Sequence, residues 1–260
     1  MNVDQWIAHF AQNRENRLEP NWQAPIRLSP DVVPTLLKSL AQFQLGDGGG
    51  PACLIAWNAA KFCSPADGMD KVVDLWFREE REHSRLLEAA VARFGGRCIK
   101  SHWSFTAFCL ARRLFGVQFE LTVLLLTEIV STVYYLLLLR HAPDEALRSM
   151  CRLILRDEAG HVRFHHDRLV NSARKHGTRH GRIWAARFRM LGLGAASMLW
   201  VNHAGALRAL GATRSEFYRE VCRGLARFIR RLRQERELAE GNPRERWGVA
   251  PARLLQRGGA

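Results

Sequence analysis

An all-α fold, a four-helix bundle with extra helices at both ends, is the class this sequence predicts. Three observations predict it. Strand signals are scarce: there is no sustained period-two alternation and no Asn-Gly or Asp-Gly hairpin between apolar runs. Helical start and stop signals recur instead, at Ser29-Pro30-Asp31, Ser64-Pro65, Gly95-Gly96, Ala142-Pro143-Asp144 and Gly177. Between them lie long stretches of helical periodicity.

In chain order, residues 1–28 read as a short helix followed by a proline-interrupted stretch. A helix over about 30–45 starts at Ser29-Pro30-Asp31, and the glycine-rich run Gly46 to Pro51 breaks it. No Gly-Lys-Ser/Thr follows that run, so it is not a phosphate loop. Four bundle helices are predicted over about 51–63, 69–94, 110–140 and 144–176, making a core of about 47–176. The connection before the third contains His102, Trp103 and Phe105. Two amphipathic, arginine-rich helices follow over about 179–210 and 215–240, then a loose tail, 241–260. The whole chain, 1–260, reads as one domain.

The third bundle helix imitates a membrane span, because Phe119 to Leu139 is almost wholly apolar. Glu120 and Glu128 inside it argue for a buried core helix, since a carboxylate at mid-bilayer is expensive. The six cysteines form no C-x-x-C pair and read as reduced core thiols rather than a disulfide framework. Met1 to Arg17 lacks the apolar run of a signal peptide, which makes the expected location cytoplasmic.

Thirty-nine Lys and Arg against 25 Asp and Glu give a net charge of +14. Arg223, Arg227, Arg230, Arg231, Arg233 and Arg236 concentrate part of it on the last helix. That stripe has no interleaved aromatics and fits no nucleic-acid motif, so nucleic acid is not an expected partner. A solvated basic face is the plain reading; peripheral contact with membrane phosphates through this helix, or with an acidic partner, is the other.

The motif that carries chemistry is Glu-x-x-His, present twice. Glu80 and His83 stand on one helix, Glu158 and His161 on another. Residues three apart share a helix face, so each pair points an oxygen and a nitrogen into one space. That pattern is the ligand set of di-iron and di-manganese bundles. Register adds Glu128: it lies fifteen residues before Pro143, and Glu158 lies fifteen after, so an antiparallel pair brings them level. Glu128 also stands alone among apolar residues, where a buried carboxylate needs a partner. Reflecting Glu80 through Pro65 gives Gly50 or Pro51, which offer no carboxylate; the nearest acid, Asp47, stands about a turn away.

Other residues carry two readings each. Asp157 could hold a ligand histidine by its second ring nitrogen, or lie on the helix surface. Glu79 would replace Glu80 if the register slipped by one. His165, on the face of His161, is an extra ligand, a proton shuttle or a packed core histidine, and Tyr135 is a relay on the face of Glu128 or core packing. His203 reads as a buried polar anchor, and Trp103, Trp184 and Trp200 as core.

The stretches Phe119-Glu120-Leu121-Thr122 through Glu128, Ile154 through His165, Phe43 to Asp47 and Asn202 to Gly211 resemble a family of bacterial ferritin-like domain proteins, over about residues 30–235. The resemblance implies metal-ligand roles for Glu80, His83, Glu128, Glu158 and His161. It also implies glutamates in the glycine-rich stretch, where this chain has Asp47 alone. The implied cofactor is iron, two ions for a complete site, with one iron or manganese as the lesser set. The implied activity is dioxygen activation to hydroxylate, desaturate or N-oxygenate a small, apolar substrate, with an electron-donor protein; a homodimer is compatible. Non-catalytic iron storage or sensing, and a scaffold that has lost the metal pair, are the rival expectations.

Overall fold

In the computed structural model the described residues are 1–15, 17–48, 53–176 and 181–241. All regular structure among them is helical: α1 (Val3–Glu15), α2 (Val33–Gly48), the single turn α3 (Ala59–Phe62), α4 (Met69–Arg93), α5 (Trp103–Leu114), α6 (Val117–His141), α7 (Glu145–His176), α8 (Arg182–Ala209) and α9 (Arg214–Gly241). The all-α expectation holds.

Two antiparallel pairs form the centre. In α2 and α4, Leu37 lies against Gly96 while Gln44 bonds Ser84, so the chains run in opposite senses. In α6 and α7, Arg148 donates to the Leu139 carbonyl and Arg168 to Gln118, with the same consequence. The pairs are joined face to face through α4 and α7, also antiparallel: Arg93 meets Asp144 at one end and Glu79 meets His161 near the middle of both helices. The segment carrying α5 crosses back between the pairs. The helices α8 and α9 pack on α6, α8 also covers α2, and α1 lies along α4.

Two expectations about the helices need correction. The first bundle helix is α2, not a helix over 51–63, of which only the turn α3 forms among the described residues. α2 ends at Gly48, within the glycine-rich run expected to end it; the rest of that run, Gly49, Gly50 and Pro51, lies outside the described residues, as do Gly177 and the expected tail beyond residue 241. The helix expected over 110–140 is two, because Gly116 at φ 75° turns the chain between α5 and α6. The positive φ favours glycine there, and the exposed indole of Trp57 lies 3.2 Å from where a Cβ on Gly116 would sit.

α6 is long and apolar enough to cross a membrane, and 67% of its most apolar stretch is buried within the fold. Its two internal acids do different work. Glu120, 0% exposed, accepts from Arg112 at 2.9 Å and from the backbone N–H groups of Ile55 and Ala56 at 2.8 and 2.9 Å. It straps the 53–56 loop to the α5–α6 junction. Glu128 faces the bundle interior. All six cysteines are unpaired, as expected, but only Cys151 is a core thiol; Cys63, Cys98 and Cys109 are half-buried and Cys53 and Cys222 exposed. Trp103 is likewise 56% exposed, whereas Trp200 is buried. His203 is the expected polar anchor: its Nδ1 is 2.9 Å from Ser39 Oγ, which also meets Tyr134 at 2.6 Å.

Because Arg112 is buried with Glu120 as its ion-pair partner, Glu120→Ala strands a cation in the core. We expect a loss of about 3–5 kcal/mol in chemical denaturation, with metal content, measured on the folded protein, unchanged.

Candidate metal centre

Four helices each send side chains to one interior point. The buried stripe of α4 runs Val72, Trp76, Glu79, His83, Leu86 and Ala90, the helical repeat of one face. Glu80 sits beside that stripe. From α7 come Asp157, Glu158 and His161, from α6 Glu128 and Tyr135, and from the last turn of α2 Asp47.

Two donor triads result: Asp47, Glu80 and His83, and Glu80, Glu128 and His161, with the donor atoms of each within 4.8 Å of one another. Glu80 belongs to both. His161 Nδ1 lies 3.1 Å from Glu80 and 3.6 Å from Glu128. Glu158 stands between the triads, one oxygen 3.7 Å from His83 Nδ1 and the other 3.8 Å from His161 Nδ1. All five residues expected from the motifs and register therefore meet. So does Asp47, expected in the wrong register. The reflection through Pro65 assumed a tight turn, whereas α2 ends at Gly48 and α4 starts at Met69, with a long connection between. The reflected positions, Gly50 and Pro51, lie outside the described residues.

The outer shell sets the direction of the imidazoles. His83 Nε2 is 3.1 Å from Asp157, which also takes an ion pair from Arg17 at 2.6 Å. His161 Nε2 is 2.9 Å from Glu79. Each acid holds one ring nitrogen and turns the other, Nδ1, inward, and both Nδ1 atoms are buried without a hydrogen-bond partner. Asp157 thus takes the histidine-holding role. Glu79 is not a substitute for Glu80 but the equivalent of Asp157 for the second histidine. The sequence signal for Glu79 was its place on the 72-76-79-83 stripe. Nothing in the sequence pointed to Arg17, which arrives from an aperiodic segment after α1.

Of the remaining candidates, Tyr135 donates to Asp47 at 3.3 Å. His165 is fully buried with both ring nitrogens unpartnered, edge-on to Trp76 at 5.0 Å, and belongs to neither triad. Trp76, which the sequence did not single out, donates to Glu80 at 3.1 Å.

The electrostatics are those of a site short of positive charge. Burial, with the charges of Glu80 and Glu128, pushes the Asp47 carboxyl up to about 8. Burial and the neighbouring Glu128 hold Glu158 well above the usual carboxylate range. Burial would also raise Glu80, but the positive charges of His161 and His83 outweigh it and bring it well down. Burial would lower His83, yet its bond to Asp157 and the charge of Glu80 raise it to about 10. In the same way Glu80 and Glu128 hold His161 well above its ordinary value. Four carboxylates facing two inward imidazole nitrogens suit a pair of divalent cations, which would neutralise the acids and take the protons' place.

A cavity of about 540 Å³ ends on this centre. Asp47, Glu80, Glu128 and Glu158 form its floor, and Phe43, Trp76, Phe108, Phe119, Leu124 and Met198 are among its apolar walls. A second cleft, about 770 Å³, lies between α7 and α9. Arg163, Arg223, Arg227 and Arg231 line it, with Asp167, Glu220 and Glu235 among them, so it is mixed in sign. The α9 arginines from Arg223 to Arg233 are solvent-exposed as expected; the Arg236 side chain lies outside the described residues.

No family model, no curated protein and no solved structure matches this chain.

Asp47, at about 8 against an ordinary 3.8, and His83, at about 10 against 6.5, bind protons more tightly in the fold than in the unfolded chain. Their stabilising contribution is complete below the ordinary values and is lost as pH rises through the folded ones. Metal-free protein should therefore melt at lower temperature as pH is raised from 6 to 9. Added divalent cation should raise the melting temperature more at the upper end, where fewer protons compete for the ligands.

Proposed function

We propose that the chain is a ferritin-like di-iron oxidoreductase that activates dioxygen at the Asp47–Glu80–His83 and Glu80–Glu128–His161 triads. The observation that carries this reading is the donor set: four carboxylates and two outward-anchored histidines from four helices, with one carboxylate common to both triads. Carboxylate and imidazole donors in this ratio suit iron or manganese rather than a thiolate-seeking metal. The two antiparallel helix pairs with one crossover, and the paired Glu-x-x-His motifs on α4 and α7, are the arrangement of di-metal carboxylate bundles.

Two irons held there would supply the electrons that reduce dioxygen and the oxidising power for a C–H or N–H bond of the substrate. The protein's own residues supply the rest. Glu79 and Asp157 keep the histidine rings from rotating, and His83, with Arg17 beside it, holds Asp157 ionised against its burial. Tyr135 holds Asp47 in place. The apolar cavity binds an apolar substrate against the four carboxylates and excludes bulk water from them. Repeated turnover requires electrons from a separate donor protein. Asp47 supplies the acid whose absence would have favoured a scaffold without metal, and an apolar cavity that ends on the carboxylates suits a substrate better than stored iron.

Anaerobically purified protein loaded with ferrous iron should contain two irons per chain by elemental analysis and oxidise them on admission of oxygen. Glu158→Ala and His161→Ala should lose metal while retaining the fold by circular dichroism. Asp157→Asn should retain the ligands but weaken metal binding by about 10–100-fold. Unchanged metal in Glu158→Ala would remove the ligand assignment; two irons inert to oxygen would leave storage as the function.

A further inference from the structure

The helices that form the mouth of the apolar cavity carry an unusual surface. On α5, Trp103, Leu110 and Leu114 stand on one stripe at 56%, 57% and 56% exposure, and Phe115 follows at 66%. Ser104, Phe108 and Ala111 on the adjoining stripe line the cavity. On α8, Ile183, Met190 and Val201 are 73%, 67% and 72% exposed, and Met190, Leu191 and Met198 are both exposed and part of the cavity lining. The two apolar stripes therefore flank one opening. Single exposed apolar residues are ordinary, but a group of this size around a cavity mouth marks a docking surface.

Charge says what docks. Residues 89–119 and 168–215 contain no Asp or Glu at all. Within them Arg113, Arg182, Arg187 and Arg189 are exposed, and none makes an ion pair among the described residues. Apolar and aromatic side chains with arginines alongside and no acids are the composition of a helix lying in the headgroup layer of an anionic membrane. A second copy of the chain is a poor occupant. A two-fold contact sets the same face against itself, and here that brings unpaired arginines together with no acid to neutralise them.

We propose that the face formed by α5 and the first two-thirds of α8 docks on an anionic lipid bilayer, so that the cavity mouth opens toward hydrocarbon rather than water. This moves membrane contact from the basic α9, where the sequence suggested it, to the helices around the cavity. The geometry does not require α6 to cross the bilayer.

The test is co-sedimentation of the full chain with vesicles of phosphatidylcholine alone and of phosphatidylcholine with phosphatidylglycerol. The chain should pellet with the second and stay soluble with the first. Leu110→Glu with Met190→Glu, both at exposed positions, should abolish pelleting. Arg113→Ala and Arg187→Ala should each weaken it about fivefold. Arg223→Ala with Arg227→Ala should leave most of it. A chain that ignores phosphatidylglycerol vesicles overturns the proposal, and so does loss in the α9 variant with retention in Leu110→Glu/Met190→Glu. So does a Leu110→Glu/Met190→Glu variant that converts a dimer to a monomer by light scattering while still pelleting, which would make this face a contact between copies. Glu158→Ala, lacking metal, should pellet like the unmodified chain, so failure of the metal assignment and failure of docking are separate results.

Discussion

The constraint on which the rest of this structure depends is charge balance in a dry interior. Asp47, Glu80, Glu128 and Glu158 converge among apolar helices, where a lone ionised carboxylate is expensive. Without cations the fold manages by sharing protons: the two imidazoles are drawn toward the charged form, and two of the acids are drawn toward the neutral one. Such a cluster has no use as a stabilising device, because well-packed apolar residues would serve better there. A buried cluster of acids and histidines with perturbed proton affinities marks a candidate functional site.

The surrounding architecture serves that convergence. Asp157 and Glu79 are symmetric in function, one behind each histidine, although one sits on α7 and the other on α4. Each helix of the α4–α7 pair thus presents a carboxylate and a histidine inward and anchors the histidine of its neighbour, so the register of the pair and the geometry of the cluster are a single property. Two further buried ion pairs lie at the edges of the bundle, Arg93 with Asp144 and Arg112 with Glu120, at 5% side-chain exposure or less. They fix the helix ends without entering the centre. The α1 helix closes the remaining side: Phe10 lies 6.0 Å from His161, and Arg17 beyond it reaches Asp157.

Apolar cavity, acidic floor and basic apolar rim form one sequence from the surface inward. The walls are shared: α2, α4 and α6 supply Phe43, Trp76, Phe119 and Leu124, and the crossover helix α5 and α8 add Phe108 and Met198 on the outer side. The central helices hold the polar centre and part of the cavity wall, and the added helices complete that wall toward the surface. Within α6 the same division appears residue by residue, with Glu120 tied into the crossover and Glu128 turned to the centre.

Much of this was legible in the sequence. Glu-x-x-His spacing places its two side chains on one face whatever the surroundings, and a reflection through Pro143 brings Glu128 level with Glu158 because that turn is tight. Reflection failed at Pro65 because the α2–α4 connection is long, so Asp47 was placed a turn away from where it belongs. Gly116 split an expected long helix because a positive φ and a packed indole there have no periodic signature. By itself, then, the sequence determined helix content, the two Glu-x-x-His pairs and the faces on which they stand, since these follow from the local repeat of the chain. Only the tertiary structure decided which helix pairs with α4, that Glu79 and Asp157 stand behind the histidines, that Arg17 joins them, and that an apolar cavity ends on the acids. Those depend on contacts between segments far apart in the chain, which local periodicity does not encode.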